Sequence, residues 1–298
     1  MKKISKKIVF FGSGPVAAQS LKLLLIDFDV EAVVTKPTTE REMKLVAGTI
    51  PVHTVSKKSE LDDLIDSKVL KSELGVLIDF GIIVSQKVIN YFPLGIINSH
   101  FSVLPEWRGE DPINFAILSG QKETGVSLML LVEAMDEGPL LLYSTYKLSP
   151  EINSTELTRD LIYISNEMLK QTIPEYLAGR VALANQSRTK RAVSYSRKLT
   201  KQDGVLDFTK SAKELEAEIR AFIQWPKSRT EIAGKDVVIT KASVDETQNG
   251  AQGTIFKTEN RKIGIYTKKG ALIIEELKPA GKKEMLVSAF LAGYGSKL

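Results

Sequence analysis

Several residue types that carry common chemistry are scarce or missing in this chain of 298 residues. It has no cysteine, which excludes disulfides and thiolate metal sites. No apolar run approaches the ~20 residues that a membrane-spanning helix needs. Histidine occurs only twice, as His53 and His100. The lack of cysteine fits a cytoplasmic protein, and the lack of a long apolar run predicts no membrane segment.

The rest of the composition is that of an ordinary globular protein, with 43% apolar and 26% charged residues. Its length predicts two domains rather than one. Residues 1–178 hold 18 Lys and Arg against 23 Asp and Glu, whereas residues 179–298 hold 23 against 13. A mildly acidic half followed by a strongly basic half is typical of a catalytic domain joined to one that binds a polyanion. The alternative is a basic surface with no partner.

A polar segment follows a short apolar run near the middle of the chain. Residues 94–97 are apolar and predict a buried strand, which ends at Asn98 and His100. Because side chains alternate along a strand, these two residues point to the same side. Polar groups at the carboxyl end of a strand are where open α/β sheets place their sites.

A carboxylate follows a second predicted strand. Residues 124–132 are apolar, and Asp136 lies in the loop after them. Asn98, His100 and a carboxylate suit the attack of an external nucleophile on a carbonyl, with the amide and imidazole binding the developing oxyanion. The carboxylate would orient the imidazole and help remove a proton from the nucleophile. The alternative is an Asn and a His that cap a loop, with Asp136 in an ordinary turn.

A resemblance favours the catalytic interpretation. The chain resembles the formyltransferases that use 10-formyltetrahydrofolate and, among them, the methionyl-tRNA formyltransferases. The resemblance is carried by Asn98, His100, Ser102–Pro105, Trp107–Gly109, Thr124–Val126, Asp136 and Gly138, and further by residues 197–208, 220–229 and 277–285. It therefore extends nearly from end to end.

The resemblance implies the transfer of a formyl group from 10-formyltetrahydrofolate to the α-amine of methionyl initiator tRNA. In this interpretation Asn98 and His100 bind the oxyanion, and Asp136 orients His100 and assists proton removal. The family's folate motif falls on four consecutive residues. They are Ser102, Val103, Leu104 and Pro105. No metal is implied, and we infer no obligate protein partner.

The first predicted strand ends in a glycine-rich turn. Gly12, Gly14 and Ala17 satisfy a loose dinucleotide-binding pattern, so a nicotinamide cofactor has to be considered. That pattern expects an acidic residue at the end of the second strand. Here Glu31 stands at the start of that strand, which ends before Lys36. We therefore expect a tight strand-to-helix turn, as in the formyltransferases.

The predicted fold is α/β: a Rossmann-like open sheet in a formyltransferase domain, followed by a small β-barrel of the oligonucleotide-binding kind. We place the catalytic domain at 1–179, a linker at 180–196 and the barrel domain, which would bind tRNA, at 197–298. Five short strands are predicted in the barrel. They lie at 230–232, 237–242, 253–256, 263–266 and 271–275.

Two features concern how tRNA would be bound. Residues 36–50 form a short, nearly charge-balanced segment, whereas methionyl-tRNA formyltransferases usually have a longer basic loop there. Lys282 and Lys283 are either solvated surface residues or phosphate contacts. Two rival functions stay open: a formyltransferase for an amino-sugar nucleotide, and a non-catalytic RNA-binding relative. The basic second half argues against the first, and the complete Asn-His-Asp set argues against the second.

Overall fold

A computed structural model describes residues 4–297. Their strands are β1 (Ile4–Gly12), β2 (Phe28–Thr35), β3 (Val52–Thr54), β4 (Leu74–Ile78), β5 (Ile96–His100), β6 (Arg108–Gly109), β7 (Glu123–Leu130), β8 (Leu140–Lys147), β9 (Tyr195–Ser196), β10 (Arg229–Ile232), β11 (Lys235–Asp245), β12 (Ile255–Lys257), β13 (Ile263–Tyr266), β14 (Ala271–Pro279) and β15 (Met285–Leu286). The α-helices are α1 (Pro15–Asp27), α2 (Glu40–Ala47), α3 (Lys58–Asp66), α4 (Gln86–Tyr91), α5 (Pro112–Leu118), α6 (Ser154–Leu177), α7 (Ala212–Ala221) and α8 (Val287–Tyr294).

The chain divides into two compact units. The first comprises the described residues up to Pro112, together with Glu123–Lys147 and Thr158–Ser196. The second comprises Ile113–Lys122, Leu148–Leu157 and the described residues from Arg197 onward.

An open, mostly parallel sheet forms the first unit. Among the described residues, seven strands pair in the order β3-β2-β1-β4-β5-β7-β8. The first five run parallel, and β7 is antiparallel to both β5 and β8. The order reverses between β1 and β4, which is where such sheets bind ligands at their carboxyl ends. The predicted Rossmann-like sheet is confirmed, and the two strands that lead to Asn98 and Asp136, β5 and β7, are neighbours in it.

Local sequence explains the elements around this sheet. All five residues of β4 are buried, as expected of a strand covered on both faces. Helix α1 begins at Pro15 and buries Ala17, Leu21 and Leu24, which recur at helical spacing. The turn before it needs glycine, because Gly14 has φ +89° and a Cβ on Gly12 would lie 2.8 Å from the Ile78 carbonyl oxygen.

Helix α6 begins with a side-chain cap. The Asn153 side chain accepts from the backbone N–H groups of Thr155 and Glu156, both at 3.0 Å. Glu156 Oε2 in return accepts from the Asn153 N–H at 3.2 Å. This reciprocal pair is a capping box. The helix is followed by Gly179 with φ +69°.

The second unit is built on a curled antiparallel sheet. Its described strands pair in the order β10-β11-β14-β13-β12, with β15 added beside β14. Helices α7 and α8 supply Leu215, Ile219 and Phe290 to the apolar core under this sheet. All five predicted strands are present, and they form half of a small barrel. The small barrel predicted for this half of the chain is confirmed.

Residues 180–196, predicted as a linker, belong to the first unit in the structure. Ala184 forms an antiparallel bridge with Leu140, and β9 pairs with β6 in parallel. A short 3-10 helix, Gln186–Thr189, lies between these two contacts. The domain boundaries themselves stay a prediction. Within residues 4–297, no helix is long and apolar enough to cross a membrane.

Candidate active site

Strand β5 presents Asn98 and His100 on one face of the sheet. Ser99, between them, points the other way and shares a hydrogen bond of 2.7 Å with Ser165 Oγ on α6. Asn98 and His100 are each only 6% exposed. A buried amide and a buried imidazole need polar partners, because an unpaired polar group in the protein interior is costly.

Asp136 supplies a partner for both. Its Oδ1 accepts a hydrogen bond of 3.3 Å from Asn98 Nδ2, and its Oδ2 lies 3.7 Å from His100 Nδ1. The same Oδ2 accepts a hydrogen bond of 2.8 Å from the Gly109 N–H. The structure therefore brings the three predicted catalytic side chains into one cluster.

A main-chain carbonyl sets the tautomer of His100. His100 Nε2 lies 2.8 Å from the Trp107 carbonyl oxygen. Since a carbonyl only accepts, Nε2 carries the proton in this arrangement. The 3.7 Å between Nδ1 and Asp136 is longer than a hydrogen bond, so the two form an ion pair only when Nδ1 is also protonated.

The loop that contacts the catalytic cluster has an unusual backbone. Trp107 has φ +54° and Gly109 has φ +115°, and the peptide bond between Leu104 and Pro105 is cis. A Cβ on Gly109 would lie 2.2 Å from the Ser196 carbonyl oxygen, so only glycine fits there. This close approach lets β6 pair with β9 and leaves the Gly109 N–H directed at Asp136.

The four residues predicted to bind folate, Ser102, Val103, Leu104 and Pro105, lie next to the cluster with their side chains buried. Ser102 Oγ donates to the Glu106 carbonyl oxygen, while the Ser102 carbonyl accepts from Ser127 Oγ at 2.8 Å. Ser127 Oγ also accepts from the Leu104 N–H at 3.0 Å. In this arrangement the four side chains are buried, and that of Ser102 supports the loop. Folate contact by these residues stays a prediction.

Two residues outside the predicted set hold the Asp136 loop. Gln186 Nε2 donates to the carbonyl oxygens of Asp136 (2.6 Å) and Gly138 (3.0 Å). Gln186 Oε1 accepts from Arg108 NH2 at 2.7 Å, and Arg108 NH1 contacts Glu137 Oε1 at 2.8 Å. No local pattern in the sequence marks a glutamine as the partner of a distant loop, so Gln186 is not among the predicted site residues.

A further carboxyl group lies where the strand order reverses. Asp79 directly follows β4, and its carbonyl accepts a hydrogen bond of 2.9 Å from the Ser13 N–H. A Cβ on Gly14 would lie 4.0 Å from Asp79 Oδ2, so the carboxyl lies beside the glycine turn. Asp79 is not among the predicted site residues, although a carboxylate at the end of a strand is a usable signal.

Asp79 has an altered pKa. Asp79 as a whole residue is exposed to solvent. Its carboxyl group, however, is surrounded by protein groups that desolvate it. Desolvation and the negative charge of Asp111 raise its pKa to about 6, while Lys36 acts in the opposite direction. An acid with a pKa near the working pH is suited to proton transfer.

A cavity of about 590 Å³ lies in the second unit and contains none of the predicted site residues. Its lining includes Phe115, Arg197, Lys210 and Glu218. Burial raises the pKa of Glu218, against the effect of its contact with Lys210. In the described part of the chain, no three His, Cys, Asp or Glu side chains are grouped so that they could hold a metal ion.

Comparison with known proteins agrees with this geometry. A family model described as formyl transferase matches residues 6–173, and one described as formyl transferase, C-terminal domain, matches residues 198–295. The chain belongs to the formyl transferase family. The family resemblance seen in the sequence is thereby confirmed.

Curated relatives match this formyl transferase over almost its whole length. The methionyl-tRNA formyltransferase of Bdellovibrio bacteriovorus is 30% identical, over 98% of this chain and 97% of the relative. That of Roseiflexus castenholzii is 31% identical, over 95% of this chain and 94% of the relative.

Solved structures share the fold at lower identity. The N-formyltransferase from Helicobacter canadensis, in complex with folinic acid and dTDP-3-aminofucose, has a TM-score of 0.67 at 18% identity, over 90% of this chain and 98% of that one. HypX from Aquifex aeolicus, in complex with tetrahydrofolic acid, has a TM-score of 0.67 at 15% identity. This chain is covered to 97% but spans only 47% of HypX.

Proposed function

We propose that this protein transfers the formyl group of 10-formyltetrahydrofolate to the α-amine of methionyl initiator tRNA, in the cytoplasm. The observation that carries the proposal is the cluster of Asn98, His100 and Asp136, with Asp136 within 3.7 Å of both partners. The relatives named methionyl-tRNA formyltransferase, matched over 98% and 95% of the chain, support the choice of acceptor.

The chemistry follows from which groups donate and which accept. The neutral amine attacks the formyl carbon, and the carbonyl oxygen becomes an oxyanion. The second N–H of the Asn98 amide donates to that oxygen, and the His100 imidazole lies beside it. The Asp136 carboxylate, whose Oδ2 is 3.7 Å from His100 Nδ1, orients the imidazole.

Proton movement completes the transfer. The attacking nitrogen loses a proton with the help of Asp136, the bond between the formyl carbon and N10 breaks, and N10 receives a proton. The products are N-formylmethionyl-tRNA and tetrahydrofolate, so atoms and charge balance. The residues present fit this chemistry, since an amide donor, an imidazole and a carboxylate meet at one sheet edge. No step requires a metal ion.

The positive charge that would bind a tRNA is concentrated in the second unit. Residues 197–298, all of which belong to that unit, hold 19 Lys and Arg against 13 Asp and Glu. Lys282 and Lys283 are exposed in the turn between β14 and β15. We propose that these two lysines contact phosphates, because exposed lysines on a small barrel are well placed to follow a nucleic-acid backbone.

The test is transfer of labelled formyl from 10-formyltetrahydrofolate to charged initiator tRNA, with charged elongator tRNA in parallel. We expect labelling of the initiator alone. A dTDP-linked amino sugar is the third acceptor, since the Helicobacter canadensis structure holds such a molecule. Labelling of the sugar and of neither tRNA would overturn the proposed acceptor but keep the formyl chemistry.

A further inference from the structure

The Gln186 side chain uses its whole hydrogen-bonding capacity on two loops of the candidate site. It is 5% exposed, and its amide donates to the carbonyl oxygens of Asp136 and Gly138. Its oxygen accepts from Arg108 twice, at 2.7 Å from NH2 and 3.2 Å from Nε. An amide has two donor hydrogens and two acceptor lone pairs, and all four are engaged.

The Asp136 loop, which Gln186 contacts, has a backbone conformation that requires stabilisation by other parts of the chain. Asp136 has φ +51°, in the left-handed region that residues with a Cβ seldom adopt. Its carboxylate meets Asn98 at 3.3 Å and faces His100 at 3.7 Å, so a small shift of the main chain would break one of these two interactions. Arg108 closes the arrangement by binding both Gln186 and Glu137, the residue after Asp136.

The segment that carries Gln186 also fixes the opposite side of the site. Thr189 Oγ1 donates to the Leu104 carbonyl oxygen at 2.9 Å, and Ser194 Oγ accepts from the Trp107 N–H at 2.9 Å. Trp107 is the residue whose carbonyl oxygen contacts His100 Nε2. Residues 186–194 therefore hold the partners of both ring nitrogens of His100.

We propose that Gln186 is a positioning residue for formyl transfer: by holding the carbonyls of Asp136 and Gly138, it keeps the Asp136 carboxylate in register with Asn98 and His100. The proposal rests on the proposed function for its kinetic consequence. Its structural consequence, the environment of His100, does not depend on which acceptor the protein uses.

Two substitutions separate the interactions of Gln186. Gln186→Leu removes all four hydrogen bonds at similar volume. Gln186→Glu keeps an oxygen for Arg108 but has no hydrogen to donate to the two carbonyls when ionised. We expect both variants to lower kcat by about 10- to 100-fold, since misplacement of a reacting group by about 1 Å costs on that order. KM for the folate is expected to change far less.

Control variants distinguish positioning from general damage. Gln171→Leu changes an exposed glutamine of the same unit and is expected to leave kcat unchanged. Asn185→Ala removes the cap of the Gln186–Thr189 turn, where Asn185 Oδ1 accepts from the Ser187 N–H at 2.9 Å, but spares the hydrogen bond to Asp136. We expect it to lower the melting temperature and to keep most of kcat.

The decisive readout is the ring ¹⁵N NMR spectrum of His100. The chain has two histidines, so His53 serves as an internal reference, and a His53→Gln variant assigns the signals. We expect both Gln186 variants to shift the His100 signals and to leave those of His53 in place. If Gln186→Leu does not fold, Gln186→Glu carries the test.

Each outcome bears on one of the two proposals. Folded variants with unchanged His100 signals and wild-type kcat would overturn the positioning role. Full activity in Gln186→Glu, with low activity in Gln186→Leu, would also overturn the positioning role. The contact with Arg108 would then be enough for activity, without the hydrogen bonds to the carbonyls of Asp136 and Gly138. If the wild-type protein formylates no acceptor, the proposed function fails, while the NMR comparison still tests the role of Gln186.

Discussion

The Asp136 carboxylate serves three groups at once. It accepts from Asn98 and from the Gly109 N–H, and it faces His100. Asn at this position would keep the shape but lose the charge and one acceptor. We expect Asp136→Asn to lower kcat by about 10²- to 10⁴-fold, the range for loss of a positioned proton-transfer group.

The measurement is kcat with both substrates saturating, together with KM for the folate. Glu133→Gln is the matched control, because Glu133 is a carboxylate of the same loop that makes none of the site's hydrogen bonds described above. If Asp136→Asn stayed as active as that control, Asp136 would have no role in the chemistry.

The raised pKa of Asp79 predicts how the stability of the folded protein changes with pH. The folded protein holds this proton more tightly than the unfolded chain, because the pKa rises from 3.8 to about 6. Stability therefore falls as pH rises between these two values, and the full penalty is present above the higher one. We expect Asp79→Asn to melt at a higher temperature than wild type at pH 7.5, with the difference disappearing toward pH 4.

Asp203, a carboxylate whose pKa is lowered rather than raised, serves as the control. The contact with Arg197 holds the pKa of Asp203 well below its usual range. Asp203→Asn should therefore destabilise the protein at neutral pH and lose that effect only in strong acid. Thermal melts of the three proteins across pH test both signs, and a stabilising effect of Asp79→Asn that does not vary with pH would contradict the first.

At the scale of elements, the segment after β2 is compact and its charges largely cancel. Helix α2 buries Met43 and Ala47, and Lys44 pairs with Glu40 at 2.6 Å. Arg41 is exposed. Such a helix has little positive charge to offer a tRNA acceptor stem, in contrast to the longer basic loop expected from the resemblance to methionyl-tRNA formyltransferases.

We therefore expect replacement of the basic residues of α2 to have little effect. Because exposed single charges are screened by salt, Arg41→Ala combined with Lys44→Ala should change KM for charged tRNA by only about twofold. The measurement is KM at physiological ionic strength, with folate saturating. A tenfold rise in KM for charged tRNA would show that α2 contributes to tRNA binding.

Elements with a regular pattern were predictable, and hydrogen bonds between distant segments were not. Alternation along β5 predicted that Asn98 and His100 share a face, and strand adjacency predicted the approach of Asp136. Residues 180–196 are predicted as a linker because they are polar and basic. Their order comes from side chains such as Gln186 that bind main-chain groups about fifty residues away in sequence. Neither periodicity nor propensity carries that information.

Across the whole molecule, positive charge is concentrated in the second unit. The basic excess of residues 197–298 lies in the second unit, while the candidate catalytic cluster lies in the first. Affinity for tRNA would then depend mainly on the second unit, and chemistry on the first. Binding through phosphates weakens with salt, because each neutralised phosphate releases a counterion.

The salt dependence of KM for charged tRNA tests whether tRNA affinity depends mainly on the second unit. We expect Lys282→Ala combined with Lys283→Ala to raise KM for charged tRNA, to leave kcat unchanged, and to reduce the slope of log KM against log salt by about one for each phosphate that is no longer bound. Lys57→Ala combined with Lys58→Ala is the matched control, since it removes two consecutive exposed lysines from the first unit. Both double variants remove the same net charge. A slope that falls equally in both would therefore point to overall charge, whereas a fall in the first alone would assign phosphate binding to the turn between β14 and β15.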